Sequence, residues 1–255
     1  RLLWAAMFLA AAVSAMASEV TLRAAKFESG DPDEKLTAQL FKPNGAGPHP
    51  AVVLLQTCGG QTQHMTHDWP RFLTDLGYVV LAVDTLGSRG YHKGCSSMKR
   101  RLVTQARDAY GALDYLNVQG YVDPRRIAAA GFSLGAVTIN NYIMARAKRP
   151  ADQPEFSAFA SFYGWCRNMK PDAVRETPLL QVIAEKDEQH APSCIERAKS
   201  IRMEAHVLPG VHHAFDQPQF TTMRTDFNGS QMLYDPGGTE PARKLLRDFL
   251  ATHLK

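Results

Sequence analysis

Two rhythms of apolar and polar residues run along the chain. Val20, Leu22 and Ala24, and again Leu36, Ala38 and Leu40, alternate with polar neighbours on either side of a turn-forming segment from Ser29 to Asp33. A period of two marks a strand with one buried face, so this part predicts an antiparallel hairpin. After the Pro/Gly-rich residues 43–50 the pattern changes to short apolar runs: Ala51 to Leu55, Tyr78 to Val83, Arg126 to Ala130, Phe156 to Phe162, Pro178 to Ala184 and Glu204 to Pro209. Short runs without alternation suit strands covered on both faces, as in a parallel sheet.

Between the runs lie segments with helical spacing. Trp69, Phe72, Leu73 and Leu76 recur at i, i+3, i+4 and i+7, with Gly77 as a stop, and Leu102, Ala106, Tyr110 and Leu113 repeat likewise. A helix continues after Asn140 through Ala147. Near the end Thr239 is expected as an N-cap with Pro241 in the first turn, and Leu245, Leu246, Phe249 and Leu250 form a buried stripe. This alternation predicts a doubly wound, mostly parallel α/β sheet with an N-terminal antiparallel hairpin. Ligands in such sheets bind at the carboxyl ends of the strands.

Composition narrows the class. The 255 residues, 45% of them apolar and 21% charged, suffice for one sizeable core and carry no repeat or linker that would split it. A balance of 29 basic against 25 acidic residues, with no like-charge block longer than Lys99 to Arg101, argues against a nucleic-acid partner. Residues 2–18 are uncharged after Arg1, with Ala15 and Ala17 flanking Met16, which reads as a signal peptide over 1–17. The run is too short to span a bilayer. A single domain over 18–255, exported to the periplasm or medium and with no stable membrane association after cleavage, is the expectation.

The candidate chemistry centres on Gly131-Phe-Ser-Leu-Gly135, after one apolar run and before a helical segment. In G-x-S-x-G the serine sits on a strained strand-to-helix turn that lifts Oγ clear of the sheet. The bare pattern arises by chance about 0.1 times in a chain of this length, so the strand-before, helix-after context decides for a nucleophile over a capping serine. Ser133 then needs a base to take its proton and a carboxylate to orient the base, in the chain order Ser, acid, His. Asp187, in the loop after the fifth run, is preferred as acid over its neighbours Glu185 and Glu188. The base comes from His212 or His213, after the last run. His206 lies within a strand pattern, and His190 precedes the last run, which makes it a poor candidate for the base.

The stretches "VVLLQTCGG", "DWPRFLTDLGYVVLAVDTLGSRG", "VDPRRIAAAGFSLG", "AEKD" and "LPGVHHAF" resemble α/β-hydrolases of the dienelactone hydrolase family, from about Val20 to the C-terminus. That resemblance implies the α/β-hydrolase fold, Ser133 as nucleophile, Asp187 as acid and His213 as base. The oxyanion hole is expected from the backbone N–H groups of Leu134 and, in the loop after the first parallel strand, Cys58. The reaction implied is cleavage of a small-molecule carboxylic ester or lactone, with no cofactor and no metal. Three departures stand out: the namesake enzymes use cysteine where this chain has Ser133, Gln56-Thr57 replaces the usual His-Gly, and Ala136 stands where glycine is common. A serine peptidase of related fold and a non-catalytic binding protein on the same scaffold are the alternatives.

The four cysteines follow strands in pairs, so disulfides Cys58–Cys95 and Cys166–Cys194 are expected in an exported protein. His64, His67, His92 and Cys95 have loop spacing that reads as ordinary polar residues more readily than as a zinc site. Arg89, just past a strand end, is open as a substrate-carboxylate contact or as a loop arginine bound to carbonyls.

Overall fold

The computed structural model describes residues 17–24, 34–91, 98–145, 149 and 152–255. The leader-like segment, the turn at 29–33 and Cys95 fall outside them. Eight strands form one sheet: β1 (Ala17–Arg23), β2 (Lys35–Phe41), β3 (His49–Leu55), β4 (Val79–Val83), β5 (Val122–Phe132), β6 (Ala158–Phe162), β7 (Leu179–Ala184) and β8 (Glu204–Leu208). Their spatial order is β1-β2-β4-β3-β5-β6-β7-β8. β1 and β2 pair antiparallel, with Leu22 opposite Leu36 and Val20 opposite Ala38, and β2 joins β4 antiparallel. From β4 to β8 the pairing is parallel.

The unbroken apolar runs follow from a sheet with a core on each face. On β3, Ala51, Val53 and Leu55 point into one core with Ala109, Tyr110 and Leu113 of α2 (Met98–Asn117), and Val52 and Leu54 point into the other. That second core is closed by Trp69 and Leu73 of α1 (Trp69–Asp75) and by Ala242, Leu246 and Phe249 of α5 (Pro236–His253). Every side chain of β3's last five residues and of β4 and β7 is buried, and polar alternation would leave unpaired groups there. β8 differs: as the edge strand it is half exposed, and His206 lies at the surface against Glu204 (3.0 Å).

Two boundaries differ from the sequence reading. α5 is capped by Asp235, whose carboxylate accepts from the amides of Gly237 and Gly238, with Pro236 in the first turn. Thr239 lies inside the helix, its hydroxyl donating to the carbonyls of Asp235 and Phe215. The helix after Ser133 is α3 (Leu134–Thr138) followed by a π-helical turn, Ile139–Ile143. No described helix is long and apolar enough to cross a membrane.

Candidate active site

Ser133 terminates the central strand β5 with φ 49° and ψ −106°, a conformation costly for any residue with a Cβ. Its amide donates to the carbonyl of Phe162 on β6 (3.1 Å), which ties the turn to the neighbouring strand. The flanking glycines are there for close packing. A Cβ on Gly131 would meet the amide of Ala136 at 2.7 Å, and one on Gly135 would run into the Leu55 carbonyl at the end of β3. Ala136 in turn packs against Gly164, whose own Cβ would lie 2.6 Å from that of Ala136.

The structure brings the three dispersed residues together. Ser133 Oγ lies 3.0 Å from His213 Nε2, and His213 Nδ1 lies 2.6 Å from Asp187 Oδ2. All three come from loops at the carboxyl ends of parallel strands, β5, β7 and β8. Asp187 and His213 are buried. The ring of His213 also meets Tyr163 edge-on at 4.8 Å. His212 has no part in this chain of contacts.

The acid has partners that chain order did not reveal. His190 Nδ1 lies 2.9 Å from Asp187 Oδ1, and the Ser230 hydroxyl donates to the same oxygen at 2.9 Å. Burial by itself would raise the Asp187 carboxyl; hydrogen bonds from His190 and His213, with their charges, outweigh it and hold the group well below the usual carboxylate range. Such a depressed group contributes stability above the unfolded carboxylate pKa of about 3.9 and loses that contribution as pH falls toward the folded value. The stability gap between wild type and Asp187→Asn, read by urea unfolding, is therefore expected to narrow by about 1 kcal/mol between pH 5 and pH 3. A gap of constant size would contradict the assignment.

A second buried carboxylate stands behind the first. Asp216 accepts from Tyr163 Oη at 2.7 Å and from Trp69 Nε1 at 2.6 Å, joining the His213 loop to β6 and to α1. Burial, then the adjacent Asp216 charge, push the Tyr163 phenol well up, so it stays a neutral donor. A cavity of about 250 Å³ lined by Asp68, Asp216, Tyr234 and Arg243 includes none of Ser133, Asp187 and His213.

Cys58 occupies a tight turn just past β3, closed by Gly60 N–H to the Thr57 carbonyl (3.2 Å) and by Gly59 N–H to Thr57 Oγ1 (3.0 Å). Because Leu55 stands opposite Gly131 in the sheet, Cys58 and Leu134 lie past the same rim. Gln56, where the family has histidine, is held through its carbonyl by Gln105 of α2, which also accepts from Thr138 of α3. Cys166 and Cys194 form the expected disulfide, and no described cysteine is free.

Arg89 is fully engaged. Its Nε and Nη2 donate to Glu34, Nη1 and Nη2 to Asp108, and Nη1 also to the Thr85 carbonyl, at 2.6–2.9 Å. All five N–H groups are thereby committed, and none is left for a substrate carboxylate. His64 is bonded to Thr62 and His67 to Asp68, while His92 and Cys95 lie outside the described residues. Asp187, His190 and His213 have ligand-type atoms within 4.8 Å of one another. Each imidazole Nδ1, however, sits at hydrogen-bond distance from a carboxylate oxygen, an arrangement that shared protons satisfy, whereas zinc ligation needs about 2.0–2.2 Å to a common centre.

The model of the dienelactone hydrolase family matches residues 36–254. The chain belongs to that family. Membership places the chain in a family of hydrolases. It is 32% identical to "Putative hydrolase YtaP" of Bacillus subtilis (strain 168) over 126 residues, 41% of this chain and 42% of that relative, so the match spans well under half the relative's length. Among solved structures it is similar to a dienelactone hydrolase-like promiscuous phosphotriesterase from metagenomic libraries, with a TM-score of 0.68 and 18% identity over 94% of this chain and 99% of the other. It also resembles dipeptidyl peptidase 4 of Porphyromonas gingivalis, with a TM-score of 0.66 and 17% identity over 94% of this chain but 36% of that one. Likeness at these identities speaks to fold.

Proposed function

We propose that this dienelactone hydrolase-family protein cleaves a carboxylic ester or lactone through an acyl-serine intermediate. The observation that carries the reading is the continuous Ser133–His213–Asp187 hydrogen-bonded chain, with Oγ 3.0 Å from Nε2 and Nδ1 2.6 Å from Oδ2. His213 Nε2 takes the proton of Ser133 Oγ as Oγ bonds to the carbonyl carbon. The N–H groups of Leu134 and Cys58 hold the resulting oxyanion. The C–O bond to the alcohol breaks, and the imidazolium returns its proton to the leaving oxygen. Water, deprotonated by the same imidazole, then attacks the acyl carbon, the bond to Oγ breaks, and the imidazolium returns its proton to Ser133 Oγ, which releases the acid and restores the free serine. Asp187 orients His213 and stabilises its charged form without taking the proton. The leader-like segment and the Cys166–Cys194 disulfide support an exported enzyme.

A fluorophosphonate probe is expected to label the wild type on the peptide containing Ser133, and short p-nitrophenyl esters to turn over while aminoacyl amides do not. Labelling elsewhere, or none, would remove the acyl-serine mechanism and leave a binding protein on this scaffold. Cleavage of the amides in preference to the esters would point to a peptidase. The dipeptidyl peptidase it resembles has most of its chain outside the matched part.

A further inference from the structure

We infer that His190 is a positioning residue for the proposed hydrolysis: it fixes the Asp187 carboxylate through Oδ1, the oxygen that His213 does not use. This inference rests on the acyl-serine reading above. A carboxylate free to turn about its last bond would present either oxygen, or neither, to His213. Here Oδ2 meets His213, and Oδ1 is held by two donors at once, His190 Nδ1 and Ser230 Oγ, which lie 3.0 Å from each other. Three contacts on two oxygens fix the plane of the group, and with it the direction in which His213 Nε2 points.

The orientation of His190 is itself determined by an arrangement that simple packing does not require. Its ring, 3% exposed, stacks on Trp165 with centroids 5.3 Å apart and planes 9° from parallel. The Trp165 carbonyl accepts from the side-chain amides of both Asn140 and Asn141, neighbours on the π-helical turn that follows the Ser133 elbow. Asn141 Oδ1 also accepts from Asn168 N–H, and Ser193 Oγ from Cys166 N–H. The Cys166–Cys194 disulfide ties the same loop to α4 (Ala191–Arg197), which begins at the residue after His190. Arg167 lies over the indole at 5.2 Å and donates to the Gln189 carbonyl. The helix that begins at the nucleophile therefore holds, through Trp165, the ring that steadies the acid.

Two variants separate positioning from packing. His190→Phe keeps a flat ring for Trp165 and removes the donor, whereas His190→Asn supplies an amide N–H near the place of Nδ1 and gives up the ring. With a short p-nitrophenyl ester, His190→Phe is expected to lose about tenfold or more in kcat, the scale of one charge-assisted hydrogen bond, with KM within about twofold of wild type. His190→Asn is expected to recover most of that loss. The downfield imidazole proton shared by His213 and Asp187 in the wild-type NMR spectrum should move or broaden in His190→Phe and return toward its place in His190→Asn. Wild-type kcat and an unmoved resonance in a folded His190→Phe would overturn the role of His190. If His190→Phe does not fold, Ser230→Ala strips the other donor from the same oxygen and is expected to lower kcat in the same way; wild-type kcat there would overturn the proposal. Absence of wild-type labelling at Ser133 would instead defeat the reaction itself.

Discussion

Replacing Ser133 by alanine is expected to lower kcat for a small ester by about 10⁴-fold or more and to abolish fluorophosphonate labelling, because the proposed covalent bond forms on its Oγ. His213 and Asp187 then have nothing to activate, and adding a second substitution at His213 should cost little more. The same position offers a second readout. Ser133 is held at φ 49° and ψ −106°, so Ser133→Gly, which also lacks the hydroxyl, is expected to be more stable than Ser133→Ala by about 1 kcal/mol in urea unfolding. Equal stability of the two variants would show that the elbow stores no strain. Retained turnover in either would remove Ser133 from the mechanism.

The second large effect is on folding. Arg89→Met leaves Asp108, whose side chain has no exposed surface, as an uncompensated buried charge, and removes two bonds to Glu34. Burial pushes the Asp108 carboxyl up, and the hydrogen bonds and charge of Arg89 offset only part of that rise. Breaking one side of such a buried pair costs about 3–5 kcal/mol, which for a chain of this size is a drop in Tm of about 6–20 °C. Arg89→Met with Asp108→Asn should recover much of that loss, since the stranded charge is gone. The folded fraction of Arg89→Met should keep the wild-type KM for neutral and carboxylate-bearing esters alike. A KM raised only for the carboxylate-bearing ones would return Arg89 to the substrate site.

The sheet was legible because its core strands are apolar on both faces, a pattern that only a two-sided core explains. The elbow's local signature pointed to Ser133, and the fixed order of partners after strands pointed to Asp187 and to the pair His212 and His213, of which only the family resemblance singled out His213. His190 was set aside by that same order: it lies before the last strand and cannot be the base. Its spacing of three from Asp187, across one tight turn, was the available signal for a second donor on the acid. Trp165, Asp216 and Ser230 carried no such signal, since each is placed by partners distant in sequence: Asn140 and Asn141, Tyr163 and Trp69, and Asp187. Thr239 reads as a cap because Pro241 follows it in a first-turn position, whereas Asp235 followed directly by Pro236 was the stronger start signal.

Ser133 extends from a strand bonded on both sides, between β3 and β6, while Asp187 and His213 belong to loops beyond β7 and the half-exposed β8, joined in part by the Ser230 hydroxyl. Warming opens a protein first where its backbone is least enclosed. Turnover should thus cease several degrees before the far-ultraviolet circular dichroism collapses, and return on cooling. On that expectation the thermal ceiling of the proposed activity lies at the periphery, and reinforcing that rim would extend the working range more than further stiffening of the middle.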